Sequence, residues 1–470
     1  PEITQPLMYQ TIALHPTLYQ LYRDNLLKQG VVTDAEVDEA VAQYRLCMTR
    51  MKEEQSGKSP SRPNSLRGRW HGFTHIGAEE PTTTVAADTL QSLAEQVYTF
   101  PEGFTLSRQV SKIFMQRIEM MRGDTEIDWG CAEAMAYASL VQEGGWVRIS
   151  GQDSGRGTFA HRHAIVYDQK TGRGLMPIRK VENGPLSHFI VIDSMLSEAA
   201  VMAFEYGYSI AEPRALVIWE AQFGDFANNA QVIIDQFITS GESKWRRMSG
   251  LVLWLPHGYE GQGGEHSSAR LERFLQLAAE DNIQVVNPTT PAQLFHLLRR
   301  QYLIKTRKPL ILFSPKSLLR KRLTFSSLVD LTSGGFQPLL AESLPAVVVA
   351  NVQRVLLCSG KVYYDLFEAR EILKRYEVAI VRIESLYPFP KTMLIQEMAK
   401  YHATTKVLWV QEEPENQGAW YQIKHHLKRS LLPTQKLYHI SRAALAAPAS
   451  GSSKRHAMEQ QLLLDRALTL

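Results

Sequence analysis

The sequence predicts an α/β protein made of two successive units, each with helices packed on a largely parallel sheet. Three observations carry this. Between residues 105 and 315, short apolar runs of strand length alternate with segments of helical periodicity. A second alternation of the same kind follows between 354 and 430. Several loops that leave the expected strands are rich in glycine and polar residues, and open α/β sheets bind ligands at the carboxyl ends of their strands.

In order along the chain, residues 16–54 are expected to be helical. Leu18, Leu21, Tyr22 and Leu26 share one face, and Val37, Val41, Tyr44 and Met48 another. Residues 55–68 read as a linker by their serine, proline and glycine content. Strands are then expected at 146–150, 189–194, 215–220, 251–256, 283–287 and 309–313, with helices near 131–142, 197–207, 227–240, 268–280 and 291–304. Residues 320–346 join the two units and contain a turn at Thr332-Ser-Gly-Gly335. The second unit offers strands at 354–359, 378–383 and 406–410, with helices near 363–375, 391–401 and 418–430. A small, polar stretch at 447–454 precedes a last helix. The expected division is 1–70 for the helical segment and linker, 71–318 for the first α/β domain and 319–470 for the second.

Bulk properties narrow the class. A chain of 470 residues exceeds one ordinary core. With 44% hydrophobic and 21% charged residues it is globular rather than disordered. The net charge of +4 (52 − 48) gives no reason to expect a nucleic-acid binder, and the basic clusters at 316–322 and 424–429 read as solvated faces or anion contacts. Cys47, Cys131 and Cys358 are too widely spaced for a disulfide framework or a zinc site, which suits a reducing compartment. No apolar run has membrane-spanning length and the start lacks a signal-peptide pattern, so a soluble protein is expected, cytoplasmic before mitochondrial.

The segment with most chemical content is 255–273. It leaves the strand Leu251-Val-Leu-Trp-Leu255 through a loop with glycines at 258, 261, 263 and 264, and it delivers His257 and His266 at a strand end. His266 closes this loop ahead of a helix and is a candidate proton shuttle. His15, His71, His75, His296, His402 and His439 take the default of core or surface residues. Glu198 falls in the first turn of a helix that follows a strand, where it either complements the helix dipole or serves as a carboxylate facing a ligand nitrogen. Phe223 and Phe226 straddle Gly224-Asp225 at another strand end and fit either core packing or a flat slot for a heteroaromatic ring. The loop 151–163 is polar and glycine-rich. Its Asp153 and Arg156 pair with each other on a plain surface reading, and it forms a site or subunit contact on a functional one. No Walker A sequence, no G-x-G-x-x-G opening a helix and no G-x-S-x-G elbow occurs, so a nucleotide cradle of either kind and a serine hydrolase are disfavoured.

Taken together, LSEAAVMAFEYGYS, IWEAQFGDFANNAQVIIDQFI, LPHGYEGQGGEHSSARLERFLQ, PLILFSPKSLLR, CSGKVYYDL, RIESLYPFP and QEEPENQGAW resemble the carboxyl-terminal half of the 2-oxoglutarate dehydrogenases, thiamine diphosphate-dependent decarboxylating components, over nearly the whole chain. The resemblance implies a transketolase-like aminopyrimidine-binding domain with a mostly parallel sheet, followed by a carboxyl-terminal α/β domain. It implies that Glu198 hydrogen-bonds the cofactor's N1′, that Phe223 and Phe226 line the pocket around that ring, and that His266 acts near the 2-oxo acid, in proton transfer or in handing the acyl group to lipoamide. His257 is a second, weaker candidate. The implied cofactors are thiamine diphosphate and Mg2+. The implied partners are 2-oxoglutarate, the lipoyl domain of dihydrolipoyl succinyltransferase and a second copy of the chain, with neither nucleic acid nor membrane.

One departure matters. The family holds diphosphate and Mg2+ through a Gly-Asp-Gly followed by an asparagine, in a preceding domain, and neither Gly123-Asp-Thr nor Gly224-Asp-Phe is that motif. With the start at Pro1, this predicts a carboxyl-terminal fragment unable to decarboxylate alone. The His161-Arg-His163 string looks more like the 2-oxoglutarate branch than the 2-oxoadipate branch. The alternatives are a 2-oxoadipate dehydrogenase, a simple 2-oxoglutarate decarboxylase and, in another class, a non-catalytic assembly module.

Overall fold

The computed structural model describes residues 1–55, 66–404 and 406–469 of the chain. Two compact units are present, Pro1–Asn64 and Ser65–Leu470.

Among the described residues, the first unit contains three helices, Pro6–Leu14, Leu18–Lys28 and Asp34–Gln55. Thr17 and Thr33 start the second and third. Each hydroxyl accepts the backbone N–H three residues on, while Gln20 and Glu36 accept from the threonine N–H at 2.7 and 2.8 Å. These reciprocal caps divide the helical stretch expected over 16–54, with Gly30 at φ +66° in the break. The expected apolar faces exist but are not core: neither of the first two helices buries a residue, and Tyr22 and Tyr44 are 63% and 68% exposed. Residues 56–65 of the expected linker lie outside the described residues.

In the second unit the strands are β1 (Trp146–Gly151), β2 (Val166–Tyr167), β3 (Gly174–Leu175), β4 (His188–Asp193), β5 (Ala215–Glu220), β6 (Val252–Pro256), β7 (Gln284–Val286), β8 (Leu310–Ser314), β9 (Leu339–Leu340), β10 (Arg354–Cys358), β11 (Val378–Ile383), β12 (Ser385–Tyr387), β13 (Lys406–Pro414) and β14 (Lys436–Arg442). The larger sheet runs β12-β7-β8-β6-β5-β1-β4, with all pairs parallel except β12 with β7. The smaller runs β14-β13-β10-β11-β9, antiparallel only at β9. The fold is thus the expected α/β arrangement with mostly parallel sheets. β5, β6 and β8 are buried along their whole length, which is why each is a continuous apolar run rather than an alternating one. The helix Trp129–Gln142 is buried over nearly all its residues and packs beside Pro291–Leu303 on the larger sheet.

Two helices differ from expectation. The one near 227–240 is a 3-10 turn, Gly224–Ala230, followed by a single α-turn and a π-turn, Ile234–Ile238. The Thr239 and Ser240 hydroxyls donate back five residues, to the Ile234 and Asp235 carbonyls, and widen the winding there. The one near 268–280 is only Leu271–Leu277, because Arg270 sits at φ +58° before it and Ala278 is extended after it. β2, β3, β9, β12 and β14 were not expected. β12 leaves the second run of elements to pair with β7 of the larger sheet, Ser385 opposite Val286. Among the described residues, no helix is long and apolar enough to cross a membrane, and no cluster of His, Cys, Asp or Glu is arranged to hold a metal ion. All three cysteines are free.

Candidate functional site

Five neighbouring strands of the larger sheet end on the same side, β1, β4 and β5 level with one another and β6 and β8 two residues further on. Gly151 of β1 is in register with Asp193 of β4 and Glu220 of β5; Glu220 faces Trp254 of β6, and Pro256 of β6 faces Ser314 of β8. The loops that leave these ends converge on one edge of the sheet.

After β4, Ser197 caps the helix Glu198–Ala211, which places Glu198 at its first residue. The carboxylate is half-buried. It accepts from the Gln152 amide at 3.4 Å and the Asn229 amide at 3.3 Å, one from the loop after β1 and one from the turn after β5. Both contacts are long, so the oxygens keep capacity for a further donor.

After β5, Phe223 and Phe226 stand edge to face, 6.2 Å between centroids at 84°. His266, from the loop after β6, is 4.4 Å from Phe223 and 5.9 Å from Phe226, again near perpendicular. Phe159 from the loop after β1 closes on Phe223 at 5.6 Å. Phe223, Phe226 and His266 are each only half-buried. They form a half-exposed, ring-lined recess at the strand ends rather than a piece of core.

Between the two phenylalanines, Asp225 is turned inward. Its Oδ1 accepts the backbone N–H of Ser267 at 3.2 Å and of Ser268 at 3.0 Å, which holds the end of the His266 loop; Oδ2 is buried with no hydrogen-bond partner. Burial raises this carboxyl above its usual range, against the two N–H contacts that lower it.

His257 has a different environment. It is buried; its Nδ1 accepts the Ala269 N–H at 3.0 Å, and its Nε2 lies 2.9 Å from Glu413 Oε1 at the end of β13. With Nδ1 accepting, the neutral tautomer carries its proton on Nε2 and donates to Glu413. Burial works against charge on this ring while Glu413, Glu412 and Asp225 work for it and raise its pKa, but a second proton would have to displace the Ala269 N–H. Both nitrogens are therefore engaged in holding the loop, and His257 is not brought to the recess with His266.

Beneath the recess lies a buried ion triad. Arg162 forms a two-point pair with Glu220, with Nη2 to Oε1 at 2.6 Å, and its Nε donates to Glu133; Nη1 also donates to the Ser154 carbonyl at 3.0 Å. Burial resists ionisation of Glu133, yet Arg162 and His161 bring it down to about 2. The His161-Arg-His163 string thus centres on a structural cation. The Arg156–Asp153 pair expected on the plain reading of that loop is present.

Two family models match the second unit. Residues 125–322 match the transketolase pyrimidine-binding domain, and residues 325–468 match the 2-oxoglutarate dehydrogenase C-terminal family. Among curated proteins, the 2-oxoglutarate dehydrogenase E1 component of Azotobacter vinelandii is 49% identical over 474 residues, covering 100% of this chain and 50% of that protein. Those of Cupriavidus necator and Haemophilus influenzae are 48% and 47% identical, at 99% and 100% of this chain and 50% of each relative. The chain is built largely of a transketolase pyrimidine-binding domain and a 2-oxoglutarate dehydrogenase C-terminal domain. It spans about half the length of the curated relatives it matches.

The residues around this site that sequence reasoning missed are Asp225, Glu413, Glu133, Glu220 and Lys316. Asp225 lies between the two phenylalanines in sequence, and nothing local marks its bonds to Ser267 and Ser268. Glu413 lies 156 residues from His257, and no local pattern links them.

Proposed function

We propose that the chain is the part of a thiamine diphosphate-dependent 2-oxoglutarate dehydrogenase that binds the cofactor's aminopyrimidine and presents a histidine to the substrate. The observation that carries this reading is the convergence of Glu198, Phe223, Phe226 and His266 at adjacent strand ends, half-exposed, in a transketolase pyrimidine-binding domain.

The residues present fit one end of thiamine diphosphate and not the other. A flat heteroaromatic ring suits the recess of Phe223, Phe226 and His266, and Glu198 has unfilled acceptor capacity beside the turn that carries Phe226. Diphosphate and Mg2+ have no matching donors here: the Asp225 carboxylate is bound to Ser267 and Ser268, and no acidic cluster suited to a metal exists among the described residues. We assign both to donors outside this chain. When bound, the cofactor supplies a carbanion that adds to a 2-oxo carbon and accepts the electron pair released with CO2. Glu198 holds a proton at the aminopyrimidine N1′ and so fixes the ring's tautomer. The phenylalanines exclude water from one face of the ring and fix its plane. His266 moves a proton at the substrate end of the recess.

On this reading the longer protein decarboxylates 2-oxoglutarate oxidatively and passes succinyl groups to the lipoyl domain of a dihydrolipoyl succinyltransferase. It does so with Mg2+, as a cytoplasmic homodimer, with domains divided near residues 70 and 318. The test is CO2 release by the intact gene product with thiamine diphosphate and Mg2+, from 2-oxoglutarate and 2-oxoadipate in parallel. Preference for 2-oxoglutarate, reduced about a hundredfold or more by Glu198→Ala, is the expected result. Preference for 2-oxoadipate moves the protein to that substrate, and activity untouched by Glu198→Ala refutes the assignment of this site.

A further inference from the structure

Lys316 belongs to a run of basic residues that reads in sequence as a solvated face or an anion contact, yet it is 4% exposed. It follows β8 by two residues, where the chain reaches back over the loop 258–267. Its Nζ donates to the His266 carbonyl at 2.5 Å and to the Gln262 side-chain oxygen at 2.6 Å, and lies 5.9 Å from the Phe223 ring. The next residue, Ser317, donates through N at 3.1 Å and Oγ at 2.6 Å to Glu260 of the same loop. Among the described residues no carboxylate reaches ion-pair distance of Nζ. Glu260, Asp225 and Glu412 act on it from further off, and burial pulls its pKa down. A buried ammonium without a close carboxylate is costly to keep and is poorly explained as a stabilising surface charge.

We propose that Lys316 is the positioning residue of this site, fixing His266 against Phe223 by clamping the glycine-rich loop at the His266 carbonyl and at Gln262. The proposal rests on the reading of His266 given above. It explains why a loop with Gly261 at φ +75° and Gly263 at φ +86°, able to adopt many paths, presents its histidine in one place. Asp225 holds the loop at Ser267 and Ser268, Glu412 holds it at Tyr259 N, and Lys316 holds the span between.

The experiment is a double-mutant cycle in the intact gene product, with Lys316→Met, His266→Ala and the pair. Lys316→Met is expected to lower kcat for CO2 release from 2-oxoglutarate about tenfold or more, with KM changed less than about threefold. The double variant is expected to be no slower than His266→Ala alone, because the lysine acts only through the histidine. A purely structural lysine would leave the two losses multiplying, and that result overturns the proposal, as does a wild-type kcat in Lys316→Met. Should Lys316→Met fail to fold, Gln262→Leu, at an exposed position, serves in its place. A loss of about two- to fivefold that vanishes in the His266→Ala background supports the clamp, and no loss overturns it. If the wild-type protein turns over no 2-oxo acid, the functional reading fails first. The clamp is then read by hydrogen exchange in the intact protein: amides of 258–267 exchanging about fivefold faster in Lys316→Met, with β1 and β5 unchanged, support it, and unchanged exchange overturns it.

Discussion

At the carboxyl end of β13, Glu412 and Glu413 are buried and bonded within the protein, while after β4 Glu198 stands half-exposed on two long amide contacts. The same contrast runs through both sheets. Glu412 pairs with Lys361, which follows β10, at 2.8 Å and accepts the Tyr259 N–H at 3.1 Å. Glu384, just past β11, accepts the N–H and hydroxyl of Thr289 at 2.8 and 2.6 Å. The smaller sheet therefore uses its strand ends to grip the loops of the larger one. The larger sheet leaves Glu198, Phe223, Phe226 and His266 half-covered. The two sheets thus divide part of the work: the larger one leaves ligand-binding capacity where side chains at its strand ends are half-covered, and the smaller one braces the loops around them.

The severest way to break this division is to unpair the triad under the recess. Arg162→Met leaves Glu133 and Glu220 buried without a cation, and a loss of about 3–5 kcal/mol is expected in denaturant unfolding. Next comes the bracing sheet: Glu413→Ala leaves the buried His257 Nε2–H without an acceptor, for about 1–3 kcal/mol. An equal loss from Glu198→Ala would erase the distinction between the sheets.

Protons offer a milder test. Burial, with Arg117 nearby, holds His163 down to about 4 in the folded chain, against an ordinary value of 6.5. Below 6.5 the unfolded chain takes up a proton that the folded chain refuses until about 4, so stability falls as pH drops through that window. Melting temperatures between pH 7 and 4 should slope downward, and His163→Gln should flatten part of that slope. A slope unchanged by the substitution would mean that His163 is not held neutral.

How much of this was legible in the sequence follows from which interactions leave a local trace. β5, β6 and β8 are buried on both faces, so each is an uninterrupted apolar run whose position could be read within a residue or two. Glu198, Phe223 and His266 stood out because they sit beside glycines or helix starts after such runs. The bonds that organise them leave no such trace. Arg162 finds Glu220 at a separation of 58 residues, Lys316 finds His266 at 50, and Glu413 finds His257 at 156. A charged residue destined for a buried clamp and one destined for solvent look alike in a basic run, which is how Lys316 was misread. The converse holds for residues 18–48, where helical periodicity was read correctly and burial does not follow, because amphipathic spacing fixes which side chains share a face and not what covers it.

The smallest expected effect sharpens the comparison most. Glu198→Ala removes a half-exposed carboxylate whose contacts are 3.3 and 3.4 Å long, and whose donors, Gln152 and Asn229, are themselves partly or fully exposed to water. Neither amide is stranded in an apolar place by the change, and Ser197 still caps the helix through the Ala200 N–H. The folding free energy should therefore stay within about 0.5 kcal/mol of wild type, apart from the small loss of a negative charge at a helix start. A chain that keeps its stability but loses tight thiamine diphosphate binding and CO2 release would show that Glu198 is placed for a ligand. A drop of several kcal/mol would instead make it one more brace, and the larger sheet's edge would no longer differ from the smaller one's.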